Sequence, residues 1–263
     1  GATCFWAGDY WGFVVRAYLT WSAYHYAAQN FGISSMYCSR SGQPLSAPEK
    51  RSMQFAFLGL GGFAMAMANT VNGDPTLAAR IVGLSEGGDT VPIVGLPQST
   101  YSAGLVLVVA SATAFGWAGR AYRERTGQTI PRPAVTLFLT SLAWFVAPFI
   151  RLPSGEPWLW EGLAVCLMGI PPFFHCAQYL AITGYRSRLT GAIKPIWLFA
   201  GLVFGAYALF EVPPWMMERM HTPLDSLRVT LVAVAYINLQ HFFIDGLIWK
   251  RSRSGVRTAP TQG

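Results

Sequence analysis

The chain alternates long apolar runs with short polar segments, and the apolar runs determine the secondary structure that we expect. Runs such as residues 101–118 and 135–150 approach or reach the roughly 17–25 residues that a helix needs to cross a bilayer. Their polarity does not alternate as it would in a transmembrane β-barrel. We predict an all-α fold, a polytopic transmembrane helical bundle with about seven spans, at residues 10–37, 53–68, 101–121, 134–150, 158–185, 197–210 and 226–249.

Composition supports a membrane protein. The 263 residues are 52% hydrophobic and only 12% charged, whereas soluble domains carry roughly 25% charged residues. So few charges cannot cover a water-exposed surface of ordinary size. No linker, repeat or low-complexity segment divides the chain, so we predict a single integral-membrane domain over residues 1–263.

The basic residues between the predicted spans indicate the topology, because cytoplasmic loops carry an excess of Lys and Arg. Of the 19 basic residues, 14 fall on one side of the predicted bundle and 4 on the other, while Arg16 lies within the first span. The basic side comprises residues 39–51, 120–132 and 186–194 and the tail at 250–263. We expect this side, including the C-terminus, to be cytoplasmic.

Topology also accounts for most of the net charge of +7, so the charge needs no nucleic-acid partner. The basic tail at 250–263 favours anionic lipid. The four cysteines form no CxxC pair and indicate packing rather than a disulfide framework. The first ten residues hold no initiator Met, basic segment or cleavage pattern, so we expect a processed or incompletely represented N-terminus.

Three histidines lie inside predicted spans, and each has a polar side chain one helical turn later. The pairs are His25 with Gln29, His175 with Gln178, and His241 with Asp245. Residues three or four positions apart share a helix face. Because polar groups at membrane depth are costly, such groups indicate a functional site.

The three histidines are also predicted to lie at similar depth. They precede the basic ends of their spans by 15, 11 and 9 residues, respectively. At about 1.5 Å per residue, these offsets place them within ~9 Å of one another along the membrane normal. We predict His25, His175, His241 and Asp245 as metal ligands, a set that suits iron or copper, with zinc as a further candidate.

Additional polar groups lie near the predicted site. Gln29 and Gln178, together with Tyr179 and Asn238, are candidates for orienting the ligands or contacting substrate, and Tyr24, Tyr26 and Tyr236 lie near the same depth. The alternative for each histidine is a hydrogen bond between helices, which joins membrane bundles at modest energetic gain. Tyrosines in an aromatic-rich bundle usually serve packing.

The polar stretches resemble signatures of uncharacterised bacterial multi-span membrane proteins. These stretches are HYAAQNFG from His25, FHCAQYLAIT around His175 and HFFIDGLIWK from His241. The resemblance implies a bacterial inner (cytoplasmic) membrane protein and carries no known activity. Membrane carotenoid dioxygenases of the Brp/Blh type are similar in size and in using intramembrane histidines, but this chain lacks their His-Gly pattern and they serve only as an analogy.

The interpretation that follows is a membrane metalloprotein, a metal-dependent oxidoreductase that acts on an apolar substrate dissolved in the lipid. One alternative is a non-catalytic subunit of a larger membrane complex, in which histidines hold haem or a chlorophyll-type pigment. Another is a proton-coupled transporter or channel subunit with a His and Asp relay, although no inverted halves are recognisable. A homo-oligomer is compatible with each of these functions.

The first prediction concerns topology. We expect residues 39–51, 120–132, 186–194 and 250–263 to face the cytoplasm, because they hold most of the basic residues. Cysteine-accessibility labelling of intact cells and inverted vesicles measures the side of each loop. Labelling that placed residues 69–100 on the same side as residues 250–257 would refute this topology.

Overall fold

The computed structural model describes residues 10–67, 69, 96–97, 99–151, 196–197, 200–201, 204–205 and 212–219. These residues are predominantly helical, and no β-strand occurs among them. The chain divides into two compact units, residues 19–199 and residues 1–18 with 200–263. The predicted fifth, sixth and seventh spans fall largely outside the described residues, so the count of seven stays a prediction.

Four helices agree in position with the first four predicted spans. They are α1 (Tyr10–Arg40), α2 (Ala47–Met67), α3 (Ser99–Thr126) and α4 (Arg132–Phe145), and a 3-10 turn at Ala147–Phe149 continues α4. Two helical stretches, Ser99–Thr126 and Arg132–Phe149, are long and apolar enough to cross a membrane. In the other unit, α5 (Val212–Arg219) is a short helix whose Arg219 guanidinium lies 5.4 Å from the Trp215 ring centroid.

The helices of the 19–199 unit run up and down, and their short connections meet at one end. The Ser41 hydroxyl, just after α1, lies 3.3 Å from the Tyr122 hydroxyl near the end of α3. At the opposite end, the Asn69 amide donates to Thr20 at 3.4 Å, and the backbone N–H of Arg151 donates to the Tyr101 hydroxyl at 3.0 Å. The connections at 41–46 and 127–131, which are flanked by basic residues, therefore lie at the same end of the unit.

Small residues allow α2 to approach both neighbouring helices closely. A Cβ on Gly61 would lie 2.8 Å from Ala27 Cβ and 2.9 Å from the Ala23 carbonyl oxygen, both on α1. On the α3 side, Gly59 lies directly against the Ser111 hydroxyl. Close backbone approach at small residues is the usual way in which membrane helices associate, because lipid provides no hydrophobic force between them.

Aromatic rings fill the space between α2, α3 and α4. Phe115 and Phe138 stack with centroids 4.0 Å apart and planes 5° from parallel. Phe57 meets Phe138 edge-on at 5.6 Å. Both Phe57 and Phe138 are buried, so the three rings form a packed core across the three helices.

One face of α3 remains apolar and uncovered. Only 17% of the most apolar stretch of this helix is buried. The exposed large side chains on α3 are Leu105, Val106, Val109 and Trp117. A core helix of a soluble protein would be mostly buried. The exposed face therefore fits contact with lipid hydrocarbon, in agreement with the composition.

The end where the two connections meet is held by Glu49, a buried carboxylate on the first turn of α2. Glu49 accepts the Ser46 backbone N–H at 2.7 Å, which is one half of a capping box. The Glu49 carboxylate also accepts hydrogen bonds from Arg125, one from Nε at 2.8 Å and one from Nη2 at 2.7 Å, so the ion pair is bidentate. The same Arg125 Nη2 donates to the Pro44 carbonyl at 2.9 Å. One ion pair thus fixes the start of α2, the turn before it and the end of α3.

We expect Gly61→Ala to destabilise the protein by about 1–3 kcal/mol, because the new methyl group would overlap Ala27 and the Ala23 carbonyl. Gly116→Ala is the matched control, since Gly116 is helical and exposed, and a Cβ added there would meet no atom within 4 Å. There the change should raise stability by less than about 1 kcal/mol. Thermal unfolding in detergent measures both. Equal effects at the two glycines would contradict the close α1–α2 contact.

We expect Arg125→Gln to lower the free energy of unfolding, because it leaves the buried Glu49 carboxylate without its cation. The Arg125 side chain is 39% exposed, so the loss stays below that of a fully buried pair. Arg120→Gln is the control: Arg120 pairs with Glu124 at 2.8 Å, but the two side chains are 80% and 64% exposed. Removal of the Arg120 charge should leave the free energy of unfolding nearly unchanged, because exposed ion pairs contribute little.

The same pair predicts acid sensitivity. Hydrogen bonds from Arg125 hold the pKa of Glu49, which lies before the predicted second span, below its ordinary value of 4.5. The stabilisation is therefore complete above pH 4.5 and is lost as the pH falls through the lowered pKa. Unfolding measured against pH should show a shallower acid loss in Glu49→Gln than in the native chain. An unchanged acid slope would show that the pair does not contribute.

Candidate functional site

Two of the eight predicted site residues, His25 and Gln29, belong to the described part of the chain, and both lie on α1. The other six lie outside the described residues: His175, Gln178, Tyr179, Asn238, His241 and Asp245. Their association with His25 stays a prediction.

The His25 side chain is half-buried, and its Nε2 atom is shielded from solvent. Its ring meets the Tyr26 ring edge-on, with centroids 5.8 Å apart. Gln29 follows one turn later and is also half-buried. Because positions i and i+4 are adjacent on a helix, the two side chains share a face of α1. This agrees with the pairing that the sequence predicts.

The face of α1 opposite His25 packs against the other helices. Ala27 contacts Gly61 of α2. Asn30 Nδ2 donates to Ser141 Oγ of α4 at 3.0 Å, and both residues are buried. Further along, Ser34 and Cys38 are fully buried on the same side. We call this the packing face of α1; it consists of Ala23, Ala27, Asn30, Ser34 and Cys38.

Ser22, His25 and Gln29 form a second polar stripe, which we call the His25 face. With 3.6 residues per turn, this face is rotated by about 150° from the packing face. Ser22 is buried, and His25 and Gln29 are half-buried. Helices α2 and α4 therefore contact a different side of α1 from the one that carries the predicted ligand.

No group of three His, Cys, Asp or Glu side chains able to hold a metal occurs among the described residues. Only His25 of the four predicted ligands lies in this part. The predicted ligand set therefore stays a prediction beyond His25.

The two tyrosines beside His25 have different environments. Tyr26 is buried, whereas Tyr24 is 45% exposed and meets the Trp21 ring edge-on with centroids 5.5 Å apart. Tyr24 therefore lies on an exposed side of α1 together with Trp21. The general expectation that tyrosines here serve packing fits Tyr26.

Sequence reasoning missed the role of Asn30, which lies within the first polar stretch. Its bond to Ser141 joins residues 111 positions apart, and Ser141 in turn donates to the Leu137 carbonyl at 2.7 Å. The only signal in the sequence was an amide in an apolar run, next to Gln29 but pointing elsewhere. The first stretch thus combines a packing amide, Asn30, with a separate His25 and Gln29 pair.

No protein family, curated protein or solved structure was found to match the chain. The functional argument therefore rests on the chemistry of the chain's own residues.

Proposed function

We propose that the protein is an integral-membrane metalloprotein, a metal-dependent oxidoreductase that acts on an apolar substrate from the lipid phase. His25, His175, His241 and Asp245 would bind iron or copper, with zinc as a further candidate. The observation that carries the proposal is the half-buried pair of His25 and Gln29 on the side of α1 that α2 and α4 do not contact.

The packing of α1 supports a functional role for this pair. Association of α1 with α4 already has a buried polar contact in Asn30 and Ser141. Ser22, His25 and Gln29 are further polar side chains on α1, and polar side chains at membrane depth commonly belong to functional sites. The His25 imidazole is of a residue type well suited to binding a transition metal.

The roles of the remaining residues follow from ligand chemistry. A ligating imidazole commonly donates its other N–H to a carboxylate or carbonyl group, which fixes the ring and its tautomer. Asp245, at i+4 from His241, would orient His241 or bind the metal itself. Gln29, Gln178, Tyr179 and Asn238 would hold substrate or orient the ligands. A bound metal with an open position would activate oxygen or polarise the substrate.

The lipid-facing surface supports an apolar substrate. Val106 and Val109 of α3 are 69% and 66% exposed, so the protein would be surrounded by hydrocarbon at this depth and a hydrophobic molecule would reach it laterally. We place the protein in a bacterial inner membrane with its C-terminus in the cytoplasm, because of the basic loops. A homo-oligomer or a complex with other membrane subunits is compatible with this arrangement.

We expect the purified full-length protein to contain about one or two equivalents of a transition metal. His25→Ala, His175→Ala and His241→Ala should each lower metal affinity strongly. The loss should exceed the roughly 10–100-fold that is typical when a residue hydrogen-bonded to a metal ligand is substituted. His221→Ala is the matched control and should leave the metal content unchanged. Elemental analysis after extraction measures this. Full metal retention in any two of the three ligand variants would refute the proposal.

An absorption spectrum of the same preparation distinguishes haem or chlorophyll-type pigment from a simple metal site, because only the pigments give intense visible bands.

The variant Asp245→Asn distinguishes a metal ligand from a proton relay, since it keeps the shape of the side chain and removes its charge. A ligand role predicts weakened metal binding in folded protein, whereas a proton relay predicts abolished transport with unchanged metal content. Retention of both metal and activity would exclude a role for Asp245 in either function.

A further inference from the structure

Basic side chains form a rim at the end of the 19–199 unit where α1 and α3 end and α2 and α4 begin. This basic rim consists of Arg40, Lys50, Arg51, Arg120, Arg123, Arg125 and Arg132. The described acidic residues at this end are Glu49 and Glu124, and each is bound by an arginine. At the opposite end, the described residues of this unit include a single basic side chain, Arg151. Among the described residues of this unit, positive charge is therefore concentrated at one end of the helices.

Exposed aromatic side chains lie one turn inside the basic rim. Trp117, 49% exposed, precedes Arg120 by three residues on α3. Phe55, also exposed, follows Arg51 by four residues on α2. Trp is enriched where hydrocarbon meets the headgroups, because its ring is apolar and its N–H is polar. The two rings therefore indicate the level of a membrane interface.

The order of side chains along α3 matches the layers of one bilayer leaflet. Val106 and Val109 are exposed first, then Trp117, then Arg120 and Arg123. At about 1.5 Å per residue, Arg123 lies roughly 9 Å beyond Trp117 along the helix axis. At this distance from Trp117, the Arg123 guanidinium would contact headgroup phosphates while Val106 and Val109 contact acyl chains.

We infer that the basic rim docks the phosphate groups of anionic phospholipids. Arginine matches phosphate with a planar fork of N–H donors, and Arg51, Arg123 and Arg132 are exposed at the rim. Arg125 is engaged by Glu49 and the Pro44 carbonyl, so it has a structural role instead. A nucleic acid or an acidic protein would use the charges but not the apolar belt directly beside them. The inference does not depend on the metal proposal.

The experiment uses the full chain in detergent micelles with equal amounts of phosphatidylglycerol and phosphatidylcholine, and counts retained lipids by native mass spectrometry. We expect the native protein to retain phosphatidylglycerol selectively. Arg51→Gln with Arg123→Gln should reduce that selectivity by about fivefold per removed charge. The matched control, Arg80→Gln with Arg228→Gln, removes two charges predicted on the other side, one in the loop at 69–100 and one at the start of the seventh predicted span, and should leave the selectivity unchanged.

Three outcomes would overturn the inference: equal retention of the two lipids by the native protein, unchanged selectivity in the rim variant, or an equal loss in the control variant. A further arm adds inorganic phosphate in large excess. Displacement of phosphatidylglycerol by inorganic phosphate would show a site for free phosphate rather than for lipid. If the double Gln variant fails to fold, Arg51→Gln and Arg123→Gln are made singly, and each should reduce the selectivity by about fivefold; unchanged selectivity in both folded single variants would also count against the inference.

Discussion

The bidentate contact between Glu49 and Arg125 is the interaction on which the other contacts of the helical unit depend. A buried carboxylate is stable only when its oxygens accept hydrogen bonds and its charge is paired. Glu49 meets both conditions through Arg125 and the Ser46 backbone N–H. Because these donors lie on the end of α3 and the turn before α2, satisfying one side chain aligns both elements.

That alignment sets the register of α2 against α3 and, through α2, the rotation of α1. With Glu49 beside Arg125, the small residues meet further along, where Gly59 lies against Ser111. Gly61 then faces Ala27 of α1, and this contact fixes which side of α1 is turned toward the bundle. A slip of one residue on α2 would rotate its contacts by about 100° and replace Gly59 with Leu58 or Leu60 at the contact with Ser111.

The sequence predicts the helices well and their mutual rotation poorly. The first four spans follow from apolar runs, and the early start of α2 at Ala47 is explained by Ser46 and Glu49, a capping-box spacing that precedes the apolar run. The pairing of Asn30 with Ser141 could not be predicted, because it depends on the rotation of two helices joined through a third. The predicted ligand set meets the same limit, since shared depth does not determine which helices are neighbours.

The rotation of α1 is what connects the fold to the proposed site. In a membrane, a polar side chain is retained when a partner offsets the cost of burial. On the packing face, Asn30 has that partner in Ser141. The His25 face is turned about 150° away from the packing face. We propose that His25 and Gln29 contribute instead to a metal site, for which His175, His241 and Asp245, predicted at similar depth, have suitable ligand chemistry.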